Sequence, residues 1–331
     1  MGNIGEKKPT RNLALELVRV TEAAALAAGR HFGRGEKINA DGAAVDAMRV
    51  LISTIDMDGT IVIGEGEKDK APMLYNGEKV GNGEPPELDI AVDPVEGTAL
   101  VANGMPNAIA TIAAAPRGTM FDPGPIFYMS KIAVGPDARD VIDIDAPVKD
   151  NLEKISKAKG MEVGDLTVVI LDRSRHFTLI NEVRECGARI RLIPAGDVAG
   201  ALMTSMPGTG IDVLLGVGGT PEAVLAACGL RAMRGAIQGK LWLPDDTGRE
   251  TAMNAGYDLD KVLTLDDLVT TNDTFFVATG ISDGPLLDGV SYSQGYAHTH
   301  SLVARGLTCT VREITAHHHL GTLTSISAIA Y

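Results

Sequence analysis

From Leu166 onward the chain alternates short apolar runs with amphipathic ones, and this alternation constrains the fold more than any other feature. Leu166–Leu171 reads as a strand, Ser174–Cys186 as a helix ended by Gly187, and Arg189–Ile193 as a strand. A short helix follows Asp197, Ile211–Gly216 reads as a strand, and Pro221–Met233 as a helix with Thr220 at its N-cap. Strand and helix in turn point to parallel pairing, because parallel neighbours need a long crossover connection. Earlier in the chain the style differs. Asn12 is placed to cap a helix with Leu13, Leu17, Val20, Ala24 and Ala28 on one face. Asp41 reads locally as the N-cap of a second helix carrying Val45, Met48, Leu51 and Ile52. Strands are expected at Thr60–Ile63, Leu88–Val92, Asn107–Ala115 and Ile126–Val134, and shorter ones near Phe275–Ala278, Ser301–Val303 and Cys309–Ile314. A lysine-rich helix, Val148–Lys159, separates the two styles. The expected class is α/β, with an α+β N-terminal lobe over 1–155 and an α/β C-terminal lobe over 156–331.

A chain of 331 residues, 45% hydrophobic and 22% charged, can bury a large core. Its formal charge of −13 disfavours a nonspecific grip on nucleic acid or anionic membrane. No run of 18 apolar residues suggests a membrane span, and residues 1–10 read as polar and frayed, without an apolar signal region. Cys186, Cys228 and Cys309 are dispersed, which fits buried thiols in a reducing cytoplasm better than disulfides or a zinc site.

The chemistry concentrates at strand ends. In LDIAVDPVEGTAL, Leu88, Ile90 and Val92 alternate with Asp89, Ala91 and Asp93, and Pro94 is expected to end the strand for want of an N–H. Asp93, Glu96, Gly97 and Thr98 then sit at the strand mouth, where hard oxygen ligands suit Mg²⁺ or Mn²⁺. The plain alternative is a solvated Asp-Pro turn. Glu65 lies between Gly64 and Gly66, and Glu222 follows Gly218-Gly219-Thr220-Pro221, where a helix dipole alone favours an acid. Five acids (Asp41, Glu65, Asp93, Glu96 and Glu222) would, if they converge, repel one another unless cations sit among them. Arg173-Ser174-Arg175-His176 opens a helix at a strand end, a seat for phosphate, and Ala195-Gly196-Asp197 closes the next strand. The motifs GxSxG, HExxH and GxxxxGK[ST] are absent, so a serine hydrolase, a zinc protease and an ATP-driven kinase are disfavoured. His298-Thr299-His300 and His317-His318-His319 have metal-like spacing, yet neighbours on a strand face opposite ways, so sheet residues are expected there.

DPVEGT resembles the D-P-[hydrophobic]-[D/E]-G-T motif of the lithium-sensitive, metal-dependent sugar phosphatase superfamily, which includes inositol monophosphatases and fructose-1,6-bisphosphatases. GRGEKINAD, VIGEGEKDKAPMLY and GGTPEA resemble the class II (GlpX-type) fructose-1,6-bisphosphatases in particular, from about Arg11 to the last residues. The resemblance implies a layered α-β-α-β-α fold and hydrolysis of the 1-phosphate of fructose 1,6-bisphosphate, as in gluconeogenesis. It implies Mn²⁺ or Mg²⁺ held by Asp41, Glu65, Asp93, Glu96 and Glu222. Thr98 matches a residue that positions water, and Lys37 and Asp69 match polar residues of the same site. Substrate contacts carried over are Glu96, Gly97, Thr98, Tyr128, Arg173, Ser174, Arg175, Gly196, Asp197 and Gly219. A cytoplasmic homo-oligomer, dimer or tetramer, is also implied. Two positions depart from the family pattern: Ala195 replaces an expected acid, and Ala223 an expected glycine. Rival readings are a bifunctional enzyme acting also on sedoheptulose 1,7-bisphosphate, an inositol monophosphatase or nucleotide 3′-phosphatase, and a non-catalytic sugar-phosphate sensor. A sensor would lose the metal acids and keep the basic seat, whereas all five acids are present.

Overall fold

The computed structural model describes residues 11–65, 74–124, 126–254, 256–327, 329 and 331. Asp69 and the N-terminal residues 1–10 lie outside them, so the expectations for both do too. Among the described residues, fourteen strands follow in chain order: β1 (Asp58–Ile63), β2 (Lys79–Val80), β3 (Glu87–Glu96), β4 (Ile109–Pro116), β5 (Tyr128–Val134), β6 (Thr167–Leu171), β7 (Arg189–Ile193), β8 (Val213–Gly219), β9 (Ala236–Leu241), β10 (Leu263–Thr264), β11 (Phe275–Gly280), β12 (Ser291–Ser293), β13 (Tyr296–Arg305) and β14 (Thr310–His319). The first sheet has the order β12-β13-β11-β4-β3-β1-β2, with β14 also paired to β13; the second has the order β10-β9-β5-β8-β6-β7. Parallel pairing joins β1 to β3, and β6 to both β7 and β8; all other pairs are antiparallel.

Alternation along the strands sets the layers. On β4, Ile112 and Ala114 face outward with Ile90, Val92 and Val277. There they meet α1 (Ala14–Gly29) and α2 (Lys37–Ile52) through Leu17, Val20, Ala24, Met48 and Ile52. Ala113 and Ala115 face inward with Ala91 and Phe276. On β5, Met129 and Ala133 also face inward, and Ile132 and Val134 outward. Between the sheets lie α6 (Asp197–Met203) and α7 (Thr220–Met233); α7 is buried on almost every side, and its run of Ala, Cys and Gly lets two sheets approach it. Outside the second sheet, α4 (Val148–Lys159) and α5 (Phe177–Glu185) cover Val168, Ile170 and Val213 through Leu152, Ile155 and Val183. The five layers run α-β-α-β-α, as expected. Short helices complete the chain: α3 (Thr98–Ala102), α8 (Asp246–Asn254), α9 (Leu265–Leu268) and α10 (Leu320–Ile326).

Several local expectations are corrected. Sheet membership changes twice along the chain, after Pro116 and again after Thr264. The return of β11 to β4 is a long-range pairing with no local signature. Asn12 does not cap α1, since Leu13 precedes its first residue and no side chain caps it. Asp41 is not an N-cap either. The loop before α2 is tied down where Gly33 and Gly35 donate to the Val101 and Ala102 carbonyls, so the helix starts at Lys37 and carries Asp41 inside it. Pro94 does not end β3, which runs to Glu96; the proline sits where the ladder with β4 shifts register between Asp93 and Glu96, so its missing N–H costs nothing. The helix expected from Ser174 starts as a 3₁₀ turn, Ser174–His176, and becomes α-helical at Phe177. Gly219, not Thr220, stands at the cap of α7. The three cysteines are free thiols, but only Cys228 is buried; Cys186 is half-buried and Cys309 exposed. Among the described residues no helix is long and apolar enough to cross a membrane.

Candidate active site

A cleft of about 540 Å³ opens where β3, β6, β7 and β8 end. Strand ends of this kind are where open α/β sheets take ligands. Asp41 reaches it from α2, Glu65 from the residues after β1, Asp93 and Glu96 from β3, and Glu222 from the first turn of α7. Thr98 lines it from the start of α3, Tyr128 from the start of β5, and Gly196 and Asp197 from the start of α6. Arg173 and Arg175 line it from the turn after β6. Thus the two basic residues and the five acids share one cleft. Lys37 and Ser174 are exposed and do not line it. Ala195 contributes a methyl group at the position of the expected acid.

The backbone is shaped to let the acids in. Gly97 turns the chain at φ 89°, and a Cβ there would lie 2.7 Å from Leu100 Cδ1, so an L side chain is disfavoured twice. At Gly219 a Cβ would fall 1.7 Å from Glu222 Oε2. That glycine, which also lines the cleft, makes room for the carboxylate.

The acids feel one another. Burial first, then Asp41 and Glu222, push the Glu65 carboxyl up to about 7. Burial, then Asp197, pushes Glu96 up to about 8 and Glu222 up to about 7. Asp93 is driven well above the usual carboxylate range by burial and by Glu65, Glu96, Glu222 and Asp41 together. Asp41 is raised by burial. Glu96 is the most enclosed of the five, and it ties β3 to α6: Oε1 accepts from the Val198 N–H at 2.7 Å and Oε2 from the Ala199 N–H at 3.3 Å. Glu222 Oε2 is buried with no hydrogen-bond partner among the described residues. No three His, Cys, Asp or Glu side chains among the described residues are already drawn around a single metal position.

The sequence reading gave no positioning role to two residues, Lys131 and His176. Lys131, 4% exposed in the middle of β5, donates to Asp197 Oδ2 and to the Gly219 carbonyl at 2.9 Å. Its signal was present, since Lys131 shares the inward face of β5 with Met129 and Ala133. His176 joins the ends of β6 and β8. Its Nε2 accepts from the Val217 N–H at 2.7 Å, so Nδ1 carries the proton and donates to the Leu171 carbonyl, also at 2.7 Å. The Val217 carbonyl in turn accepts from Arg175 Nε at 3.2 Å and Nη2 at 2.7 Å, and the guanidinium lies 5.2 Å from the Tyr128 ring centre. Burial holds His176 below the ordinary imidazole value, with Arg175 and Arg173 adding to the effect, so it stays neutral. The basic turn contains this histidine, but no local pattern announces its partners.

Residues 11–318 match the family model described as bacterial fructose-1,6-bisphosphatase, glpX-encoded. The chain is 44% identical over 323 residues to fructose-1,6-bisphosphatase 1 class 2 of Escherichia coli (strain K12), covering 94% of this chain and 96% of the relative. The same identity and coverage hold for fructose-1,6-bisphosphatase class 2 of Escherichia coli O6:H1 and of Shigella flexneri. The chain therefore belongs to the glpX-encoded bacterial fructose-1,6-bisphosphatase family.

Proposed function

We propose that the chain hydrolyses the 1-phosphate of fructose 1,6-bisphosphate, consuming one water and yielding fructose 6-phosphate and inorganic phosphate. The observation that carries this reading is the meeting of five carboxylates and two arginines across one cleft in a member of this family. The donor set fits Mg²⁺ or Mn²⁺. It is all oxygen, its acids resist ionising together, and Glu222 presents a buried oxygen lacking a hydrogen-bond partner among the described residues. Asp41, Glu65, Asp93, Glu96 and Glu222 would hold the ions. Bound there, divalent cations lower the pKa of water, polarise a phosphoryl oxygen and stabilise the departing alkoxide.

The chain's own residues then do the positioning that phosphoryl transfer depends on. Arg173 and Arg175 anchor the phosphate that stays. Arg175 spends two N–H groups on the Val217 carbonyl, which aims its remaining donors into the cleft. Tyr128, Gly196 and Asp197 face the sugar, and Lys131 fixes the Asp197 carboxylate. The Thr98 hydroxyl, at the turn after the acids, orients the attacking water in line with the scissile P–O bond. The same family reading carries a homo-oligomer.

Phosphate release from fructose 1,6-bisphosphate with Mg²⁺, with Mn²⁺ and with EDTA tests the reading. Inositol 1-phosphate and sedoheptulose 1,7-bisphosphate run alongside. Cation-dependent turnover of the fructose bisphosphate, abolished by EDTA, is the expected result. Turnover of inositol phosphate alone would overturn the role given to the arginines, and thermal stabilisation by sugar phosphate without turnover would identify a sensor.

A further inference from the structure

We propose that His298 and His317 form a second metal site, for an imidazole-preferring transition-metal dication such as Zn²⁺, Ni²⁺ or Cu²⁺, on the β13–β14 hairpin. The two residues stand directly opposite in the antiparallel ladder, so their side chains leave the sheet on the same face. Their rings already touch, with centroids 4.4 Å apart and planes at 85°. Opposed residues in such a ladder have Cβ atoms about 4.5–5.5 Å apart. Two imidazoles on that base reach one ion at a metal–nitrogen distance of about 2.0–2.1 Å by rotating χ1 and χ2.

The run His317-His318-His319 does not act as a unit. His318 turns to the other face, where its Nε2 lies 2.8 Å from Thr299 Oγ1, beside buried Glu22. His319 Nδ1 is engaged by the Thr322 N–H at 3.1 Å, at the start of α10. His317 therefore finds its partner 19 positions away in sequence, a pairing that only the register discloses. On the same face, His300 Nδ1 lies 3.3 Å from Asp288 Oδ2, and its Nε2 4.0 Å from Glu313 Oε2. His317 is exposed and His298 half-buried, so an ion has access, and water fills the positions that two imidazoles leave. Nitrogen ligands select late first-row dications over Mg²⁺ and Ca²⁺, which sets this site apart from the all-oxygen cleft.

Copper separates the two sites spectroscopically. Cu²⁺ added at one equivalent to the full chain in saturating Mg²⁺ is followed by electron paramagnetic resonance and by calorimetry. Cu²⁺ held by carboxylates shows no nitrogen hyperfine coupling, whereas Cu²⁺ on this pair shows coupling to two nitrogens. His298→Ala and His317→Ala are each expected to weaken binding by about tenfold or more and to reduce the coupling. His318→Ala is expected to leave both unchanged. His298→Gln repeats the test with a side chain of similar reach, and phosphate release checks that each variant is folded. Absence of nitrogen coupling in the parent chain overturns the proposal. So does full coupling in His298→Ala, which would assign the metal to the local histidine run.

Discussion

Replacing Lys131 by methionine isolates one interaction whose loss should be large. The ammonium is 4% exposed and its partner Asp197 9% exposed, so neither charge is screened by water to any extent. Removing one member of a buried pair leaves the other charged and unpartnered, which costs about 3–5 kcal/mol. The Gly219 carbonyl also loses a donor. Unfolding entropy of about 2.1 cal/mol/K per residue over 331 residues is about 0.7 kcal/mol/K, so the expected fall in Tm is about 4–7 °C. Asp197 also raises the Glu96 and Glu222 carboxyls, and Lys131 is the charge that lowers Glu222. Lys131→Met should therefore leave Glu222 harder to ionise and weaken Mg²⁺ binding. The assay is thermal unfolding in EDTA of Lys131→Met, Asp197→Asn and the double variant. The double variant should lie well above the sum of the singles, with a coupling of about 2 kcal/mol or more. Additive effects, or single losses below about 1 kcal/mol, would refute the reasoning and place the pair in solvent.

Three other outcomes are expected. In EDTA the raised carboxyls, Glu65 and Glu222 at about 7 and Glu96 at about 8 against an ordinary 4.5, hold protons in the folded state that the unfolded chain releases. Their contribution is complete below about 4.5 and is lost as pH rises through 7–8, so metal-free Tm should fall across that window and Mg²⁺ should rescue it more at pH 8 than at pH 5.5; a flat profile would contradict this. Glu22, 8% exposed and pushed up to about 7 mainly by burial, burdens the fold when ionised, so Glu22→Gln should stabilise it by on the order of 3 kcal/mol at pH 8 and by nothing near pH 4.5 in urea titrations. Thr98→Ala should lower kcat by about 10²-fold with KM little changed, and a kcat near that of the parent would remove its role with water.

The strands were legible because apolar alternation reports which face is buried, and helix Val148–Lys159 was bounded to the residue, whereas the order of the layers came from the family resemblance. The candidate cleft residues were legible because strand-end acids and basic turns leave short motifs. What the sequence concealed is relational. Asp41 looked like a cap because its immediate neighbours say nothing of the ties from Gly33 and Gly35 to α3. Pro94 looked like a stop because the register shift that accommodates it is a property of the pair of strands. His176 and Lys131 join elements separated by 41 and 66 positions, and neither periodicity nor composition records such partners. The same holds for the twofold crossing between sheets, which rests on β11 finding β4.

That crossing sets a timetable for synthesis. β4 is buried along nearly its whole length, yet its neighbour β11 begins only at Phe275, about 160 residues after β4 ends at Pro116. At a translation rate of about 5–20 residues per second, an apolar strand edge waits roughly 8–30 s for its partner. The entire second sheet is made in that interval, and its strands β5 to β10 pair only among themselves. The second sheet can thus complete its strand pairing while the first stands open, though its inward face shares a core with that sheet, and the edge of β4 is a place where the nascent chain is exposed to chaperones or to aggregation.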